Sequence, residues 1–194
     1  FSSNDWQIIM SLSRNIRSRL GQLRFLKEVQ KQTYKAEVIG FDEAASIGIL
    51  YDATNERDYE AVKAYVKTVR SQYKKDILAM GFVDKKKLPP AQFAQYGLDF
   101  FTRSDLDFRL IPKNPIVKNF IEQKFDILIN LNSGNCFPLR YIAALSKSRF
   151  RVGRYDSKST SCYDMMLNLK GEPAIKEVIE ETEHFLRKIK PVLA

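Results

Sequence analysis

The feature that most constrains this chain is an alternation. Short apolar runs of strand length are each followed by longer stretches with helical periodicity, and the pattern repeats over about 150 residues. Ser46-Ile-Gly-Ile-Leu-Tyr51 is short, apolar and β-favouring, which predicts a buried strand. Asp52-Ala53-Thr54-Asn55 follows, and short polar side chains of this kind suit the N-cap of a helix. The helix is predicted over Glu56–Tyr73, with Tyr59, Val62, Val66 and Val69 as its apolar stripe. Ile77–Val83 reads as a second strand, closed by Lys85-Lys86-Lys87 and Pro89-Pro90. The triple lysine reads as a solvated turn.

The same logic runs to the end of the chain. Leu98–Thr102 is predicted as a short strand, and Ser104–Asn114 fits neither template. Pro115 suits the first turn of a helix reaching Gln123. Phe125-Asp-Ile-Leu-Ile-Asn-Leu131 is the clearest strand, broken at Asn132-Ser133-Gly134-Asn135, after which Pro138 opens a helix through Leu145. Phe150–Tyr155 and Tyr163–Leu169 are predicted strands around a polar loop over Ser157–Ser161. Gly171-Glu172-Pro173 starts a closing helix to about Lys190. Strands alternating with helices imply right-handed crossovers. The expected fold is a three-layer, Rossmann-like α/β domain with a mainly parallel sheet over 37–194.

Residues 1–36 read as a helical extension. Between Asp5 and Thr33, Ile9, Leu12, Ile16, Leu20 and Leu23 recur at three- and four-residue steps. Arg14, Arg17, Arg24, Lys27 and Lys31 flank that stripe, and Trp6 stands near its start. Such a helix can dock its stripe on the core or on a second copy of the chain, giving a homodimer. Alternatively it can lie on an anionic membrane or on nucleic acid, with its basic groups reaching phosphates. The charge favours acidic partners, since 32 basic against 23 acidic residues give +9. The excess is concentrated at residues 63–87, with eight basic groups against Asp76 and Asp84, and at 140–158, with six against Asp156.

Several chemistries find little support. No apolar run approaches the roughly 20 residues that cross a bilayer. Cys136 and Cys162 have no metal spacing; one disulfide between them is arithmetically allowed, but a reduced cytoplasmic protein is the better reading. The only histidine, His184, falls in the charged closing helix and reads as a surface residue, so no metal is expected. The chain begins at Phe1, which leaves room for a removed leader. There is no Gly-x-Gly-x-x-Gly, no Gly-Lys-Ser/Thr and no Gly-x-Ser-x-Gly, so no cofactor is expected and nucleophilic catalysis lacks its base.

In an open parallel sheet, ligands sit beyond the carboxyl ends of the strands, where strand order reverses. Two such ends are polar: Asp52 with Thr54 and Asn55, and Asn130, Asn132, Ser133, Gly134 and Asn135 leading into a helix that carries Arg140. Free amides at a helix start can hold an anion, with Arg140, Arg151 and Arg154 adding charge. Polar residues at such turns are more often caps and turn formers. The leading expectation is a non-catalytic binding domain for an acidic partner; the alternative is an enzyme or sensor taking a nucleotide or sugar phosphate at this crevice.

The run Phe125-Asp-Ile-Leu-Ile-Asn-Leu-Asn132, then Leu139-Arg-Tyr-Ile-Ala-Ala-Leu145 and Phe150-Arg-Val-Gly-Arg-Tyr155, resembles the end of the acceptor-side domain in heptosyltransferase-like GT-B glycosyltransferases. The first-strand loop departs from that family, with Asp52-Ala-Thr-Asn55 where a Gly-Asp signature is usual, and no nucleotide-sugar half follows. The order of a basic leading helix, Ile47-Gly-Ile-Leu-Tyr-Asp52 and the Phe125–Leu131 strand is similar to an uncharacterised family of small basic bacterial proteins. Together these resemblances imply half of a glycosyltransferase fold without its reaction.

Overall fold

The computed structural model describes residues 3–90, 92–132 and 136–190, with side chains from residue 16 onward. The strands are β1 (Ser46–Asp52), β2 (Asp76–Val83), β3 (Leu98–Thr102), β4 (Ile127–Asn130), β5 (Phe150–Arg154) and β6 (Met165–Leu167). The helices are α1 (Ser3–Val29), α2 (Glu56–Tyr73), α3 (Pro115–Glu122), α4 (Phe137–Leu145) and α5 (Ile175–Lys188). All six strands pair in parallel, in the order β3-β2-β1-β4-β5-β6.

β1 is central, and its sequence says why. Ile47, Ile49, Leu50 and Tyr51 are fully buried. Ile47, Ile49 and Tyr51 join the core beneath α2 and α5, while Leu50 joins the one beneath α3 and α4. A strand covered on both faces must be apolar throughout, which produces a continuous run rather than an alternation. α2 forms where Asn55 caps it, accepting the Arg57 amide at 2.9 Å. It buries Tyr59, Val62, Val66 and Val69 against the sheet. Asn114 likewise caps α3, accepting the Ile116 amide, with Pro115 in the first turn.

Several elements are shorter than their sequence patterns. Phe125 leaves the ladder because its ring packs against Phe120, with centroids 4.9 Å apart. Asp126 still bonds both neighbouring strands through its backbone, to the Ser46 carbonyl and from the Phe150 amide at 3.1 Å each, and its carboxylate also accepts the Ala45 and Ser46 amides at 2.9 and 3.0 Å. β5 ends one residue before Tyr155, β6 is confined to Met165–Leu167, and α5 begins at Ile175, after Pro173. The ambiguous stretch 104–114 is a loop, in which Asp107 accepts the Arg109 and Ile111 amides and Leu106 bridges Pro112.

The largest correction concerns α1. The sequence pattern allows its apolar stripe to dock on the core, but Ile16, Leu20 and Leu23 are 59%, 42% and 59% exposed. Gly21 and Phe25 dock instead, about 160–200° around the axis from Leu23 at 3.6 residues per turn. Phe25 meets the rings of Phe137 and Tyr141 at 6.0 and 6.1 Å, closing a small third core. At Gly21 an added Cβ would stand 2.2 Å from the Arg109 carbonyl oxygen, so only glycine allows this approach. Shape complementarity chose the docked face, not the count of apolar residues. Beyond the helix, Gln32 donates to the Leu145 carbonyl and Tyr34 to the Asp164 carboxylate, tying the connecting segment to the body.

Candidate ligand crevice

The strand order runs outward in one direction from β1 and in the other from β4, so the sheet reverses between these two neighbours. Their carboxyl ends are the Asp52 turn, which leads into α2, and the Asn130 turn, which precedes α4. Both turns singled out from the sequence therefore flank the one place where such a fold leaves a crevice.

At the α2 turn the polar side chains are spent locally. Asp52 Oδ1 accepts the Thr54 amide at 2.8 Å, Thr54 Oγ1 accepts the Asp84 amide at 2.8 Å, and Asn55 caps the helix. Gln92, buried, donates to the Ala53 carbonyl at 2.8 Å and closes the turn from above. Glu56 and Asp58 occupy the first turn of α2, so with Asp52 three carboxylates sit near its positive end. Burial and the neighbouring Asp52 hold the Asp58 carboxyl above its usual range. A further anion has no place there.

The α4 turn is built differently. Asn130 donates to the Tyr163 hydroxyl at 2.7 Å, and its carbonyl oxygen accepts the Asn132 amide at 3.1 Å. Tyr163 can lie against β5 because Gly153 offers no side chain; a Cβ there would meet the ring at 2.7 Å. The N-cap of α4 is Cys136, which makes no capping side-chain bond, and the first turn holds no acidic residue. Arg140 is 8% exposed, its Nε is buried without a partner as is that of Arg151, and its side chain makes no hydrogen bond or ion pair among the described residues. Its guanidinium is held instead between the rings of Phe137 and Phe25, at 5.7 and 5.9 Å. Burial pushes the Cys136 thiol up to about 12, opposed by the Leu139 amide and Arg140, with Asp52 and Asp84 adding to the rise. Asp156, on the loop after β5, is held below the usual carboxylate range by the Ser159 hydroxyl and the Lys158 amide, with Arg140 contributing.

The structure thus gathers Asp52, Asn130 and Arg140 on the α4 side of the sheet. Thr54 and Asn55 serve as turn and cap. Arg154 has the strand parity of Val152, which faces α2 and α5, and reaches the Gly171 carbonyl at 3.4 Å, so it stands apart from Arg140. Ser133, Gly134 and Asn135 lie outside the described residues. Of the basic groups of α1, Arg17 donates to the Phe108 carbonyl at 2.7 Å and Arg24 pairs with Glu28, while Lys27 is exposed, as is Lys31 just past the helix. The Arg14 side chain lies outside the described ones. Cys136, Tyr163 and Asp156 were not singled out; the available signal was Cys136 itself, a poor capping residue directly before Phe137-Pro138. A hollow of about 390 Å³ lies at the opposite, amino edge of the sheet, lined by Arg70, Asp76, Gln95, Tyr96, Asp99 and Gln123. Among the described residues no three His, Cys, Asp or Glu side chains converge as metal ligands.

An all-parallel sheet in this order, covered on both faces and with its crevice at the β1/β4 reversal, defines an open, doubly wound α/β domain of Rossmann type. Within that class, the chain belongs to a family of unknown function, DUF6913, whose model matches residues 17–189. No curated protein matches it. Among solved structures, S. aureus homoserine dehydrogenase aligns with 56% of the chain at 17% identity and a TM-score of 0.30, and the chain spans 26% of that protein.

Proposed function

We propose that this protein is a non-catalytic interaction domain of the bacterial cytoplasm that docks on an anionic membrane surface through the outer face of α1. The observation behind the reading is that face. Ile16, Leu20, Leu23 and Leu26 are all exposed, by 42–59%, on the side of α1 turned away from the body. The side chains of Arg19, Lys27 and, two residues past the helix, Lys31 are exposed, with no hydrogen-bond or ion-pair partner among the described residues. Burying each aliphatic side chain in the acyl boundary is worth about 1.5–3 kcal/mol, and each basic group near an anionic surface adds about 1 kcal/mol. Nucleic acid would leave the aliphatic stripe wet. A second copy of the same helix would face like charges. No helix among the described residues is long and apolar enough to cross a membrane, so the mode is a helix lying in the interface.

The non-catalytic part of the reading follows from the crevice, where Asp52, Asn55 and Asn130 are spent on turns, caps and each other's neighbours. The glycosyltransferase-like stretch enters it as a shared fold without the reaction. Two free thiols, Cys136 and Cys162, are in keeping with a reducing compartment.

Vesicle co-sedimentation tests the proposal. The chain should pellet with phosphatidylglycerol-containing vesicles, remain in solution with pure phosphatidylcholine, and be released by high salt. A Leu20→Asp/Leu23→Asp variant should lose the binding with its circular dichroism unchanged, because both positions are exposed. Equal pelleting by that variant, or salt-sensitive binding to DNA or RNA with none to vesicles, would overturn the lipid reading.

A further inference from the structure

We propose that the hollow at the amino edge of the sheet binds an organic cation that carries a primary ammonium group. Its volume is about 390 Å³, within the range of small-molecule sites. β2 opens at its rim with Asp76, β3 contributes Asp99, and α3 ends on it at Gln123. The loop before β3 closes it with Gln95 and Tyr96. Gly97, at φ 89°, turns the chain back there, so that Gln95 and Leu98 exchange backbone hydrogen bonds.

Asp99 is the residue that strand chemistry leaves unexplained. Leu98 and Phe100 join the core beneath α2 and α5, and Phe101 joins the one beneath α3 and α4. By alternation Asp99 shares the face of Phe101, a place for an apolar side chain. Aspartate is disfavoured in strands, and a carboxylate drawn out of water needs partners to offset its lost hydration. Asp99 is half-buried, and burial alone raises its carboxyl above the usual aspartate range, with no donor or cation opposing the rise. Asp58 is likewise raised by burial, but it stands in the first turn of α2, where the positive helix end offsets its charge. Among the described residues that line the hollow, Arg70 is the only cation, and it is held elsewhere. Its Nη1 donates to the Tyr96 carbonyl at 2.7 Å, and its guanidinium stacks on the Tyr96 ring at 3.5 Å. That pair fixes Tyr96, 86% exposed, against the end of α2.

The ligand chemistry follows. Asp76 and Asp99 offer carboxylate oxygens, and Gln95 and Gln123 offer side-chain amides. α3 turns its negative end to the same place, with no basic residue in its last turn. Together these favour a cation. Hard metal ions take roughly six or more oxygen ligands, and no three candidate ligands converge among the described residues. An ammonium group is satisfied by a few acceptors, and the remaining volume takes its carbon chain against Leu78 and Phe125. The hollow lies at the other end of the strands from the two polar turns and apart from the outer face of α1. This proposal and the lipid reading can therefore fail separately.

The test is an NMR chemical-shift titration of the isotope-labelled full chain with putrescine and with Nα-acetyl-lysine amide, against sodium chloride at equal ionic strength. The two probes distinguish a free small amine from the lysine side chain of another protein, and the tighter one names the source. Wild-type protein should show saturable shifts at the amides around Asp76, Gln95–Asp99 and Gln123. Asp99→Asn, which keeps the shape, should weaken binding roughly five- to tenfold, less than a fully buried charge-assisted hydrogen bond carries because Asp99 is only half-buried. Asp76→Asn should weaken it less, since Asp76 is exposed. If Asp99→Asn fails to fold, Gln123→Lys serves: at that exposed position it brings an ammonium of the chain's own to the hollow and should suppress the response with stability retained. Leu20→Asp/Leu23→Asp, on α1, should leave the amine response unchanged. No saturable shift in the wild type, shifts spread evenly over the surface carboxylates, or an undiminished response in Gln123→Lys would overturn the site. An aspartate pointing inward from an edge strand also discourages pairing with another chain. Were that its whole role, the wild type would give no amine response and Asp99→Asn would only aggregate.

Discussion

The two strand-to-helix turns at the sheet reversal do the same topological job with opposite chemistry. The α2 turn is closed: Asn55 caps the helix, Thr54 and Asp52 accept amides, and carboxylates occupy the first turn. At the start of α4, by contrast, the first turn carries no acidic residue and Arg140 lies between two rings. The comparison teaches that polarity at a strand end does not by itself mark a ligand site. Asp52, Thr54 and Asn55 are the more polar cluster, and they are self-satisfied. What distinguishes the described part of the α4 side is charge: no carboxylate in the first turn of the helix, and Arg140 beside it.

Four measurements can break or sharpen this contrast. The largest effect is expected at Gly153. In Gly153→Ala the new Cβ would press on the Tyr163 ring, and overpacking of this kind costs about 1–3 kcal/mol; denaturant unfolding reads it, and a neutral result would mean that Tyr163 is not pinned. Next comes Tyr163→Phe, which leaves buried Asn130 without its acceptor and should cost about 1–2 kcal/mol in the same assay. Third, Asn55→Ala should cost about 1 kcal/mol through the lost cap, read in the same assay. No loss would mean that the Asn55 bond does not hold the start of α2.

The smallest effect is in titration. Asp58, near the α2 end, has its pKa raised by burial and by Asp52. Its contribution favours the fold below the unfolded pKa and is lost as pH rises through the folded one. Asp156, on the α4 side, has its pKa lowered by Ser159 and Lys158, with help from Arg140. Its contribution is present above the unfolded pKa and is lost as pH falls through the folded value. Carboxyl NMR titration should place Asp58 above and Asp156 below the usual aspartate range; the reverse order would contradict the electrostatic contrast.

Much of this was legible in the chain itself. The bounds of α2 and β3 match their sequence patterns, because caps and periodicity are local signals. The two polar turns were also visible, since turn residues declare themselves. Their adjacency was not, because neighbouring strands are set by which sheet order buries β1 on both faces. Phe125 and Asp126 read as strand but serve as packing and anchor, roles defined by Phe120 and by the Ala45–Ser46 amides elsewhere in the chain.

Local periodicity determined that this chain would alternate strands and helices, and the continuous apolar run of β1 determined that the sheet would be covered on both sides. Only the tertiary structure decided which face of α1 would dock. Periodicity measures how apolar a face is, whereas docking required a glycine opposite a carbonyl and an aromatic ring opposite two others. Tertiary packing likewise decided what surrounds two buried arginines: Arg151 donates to the Ala144 carbonyl and stacks on Tyr34, whereas Arg140 lies between the rings of Phe137 and Phe25. Those surroundings come from distant parts of the chain, so no local pattern announces them.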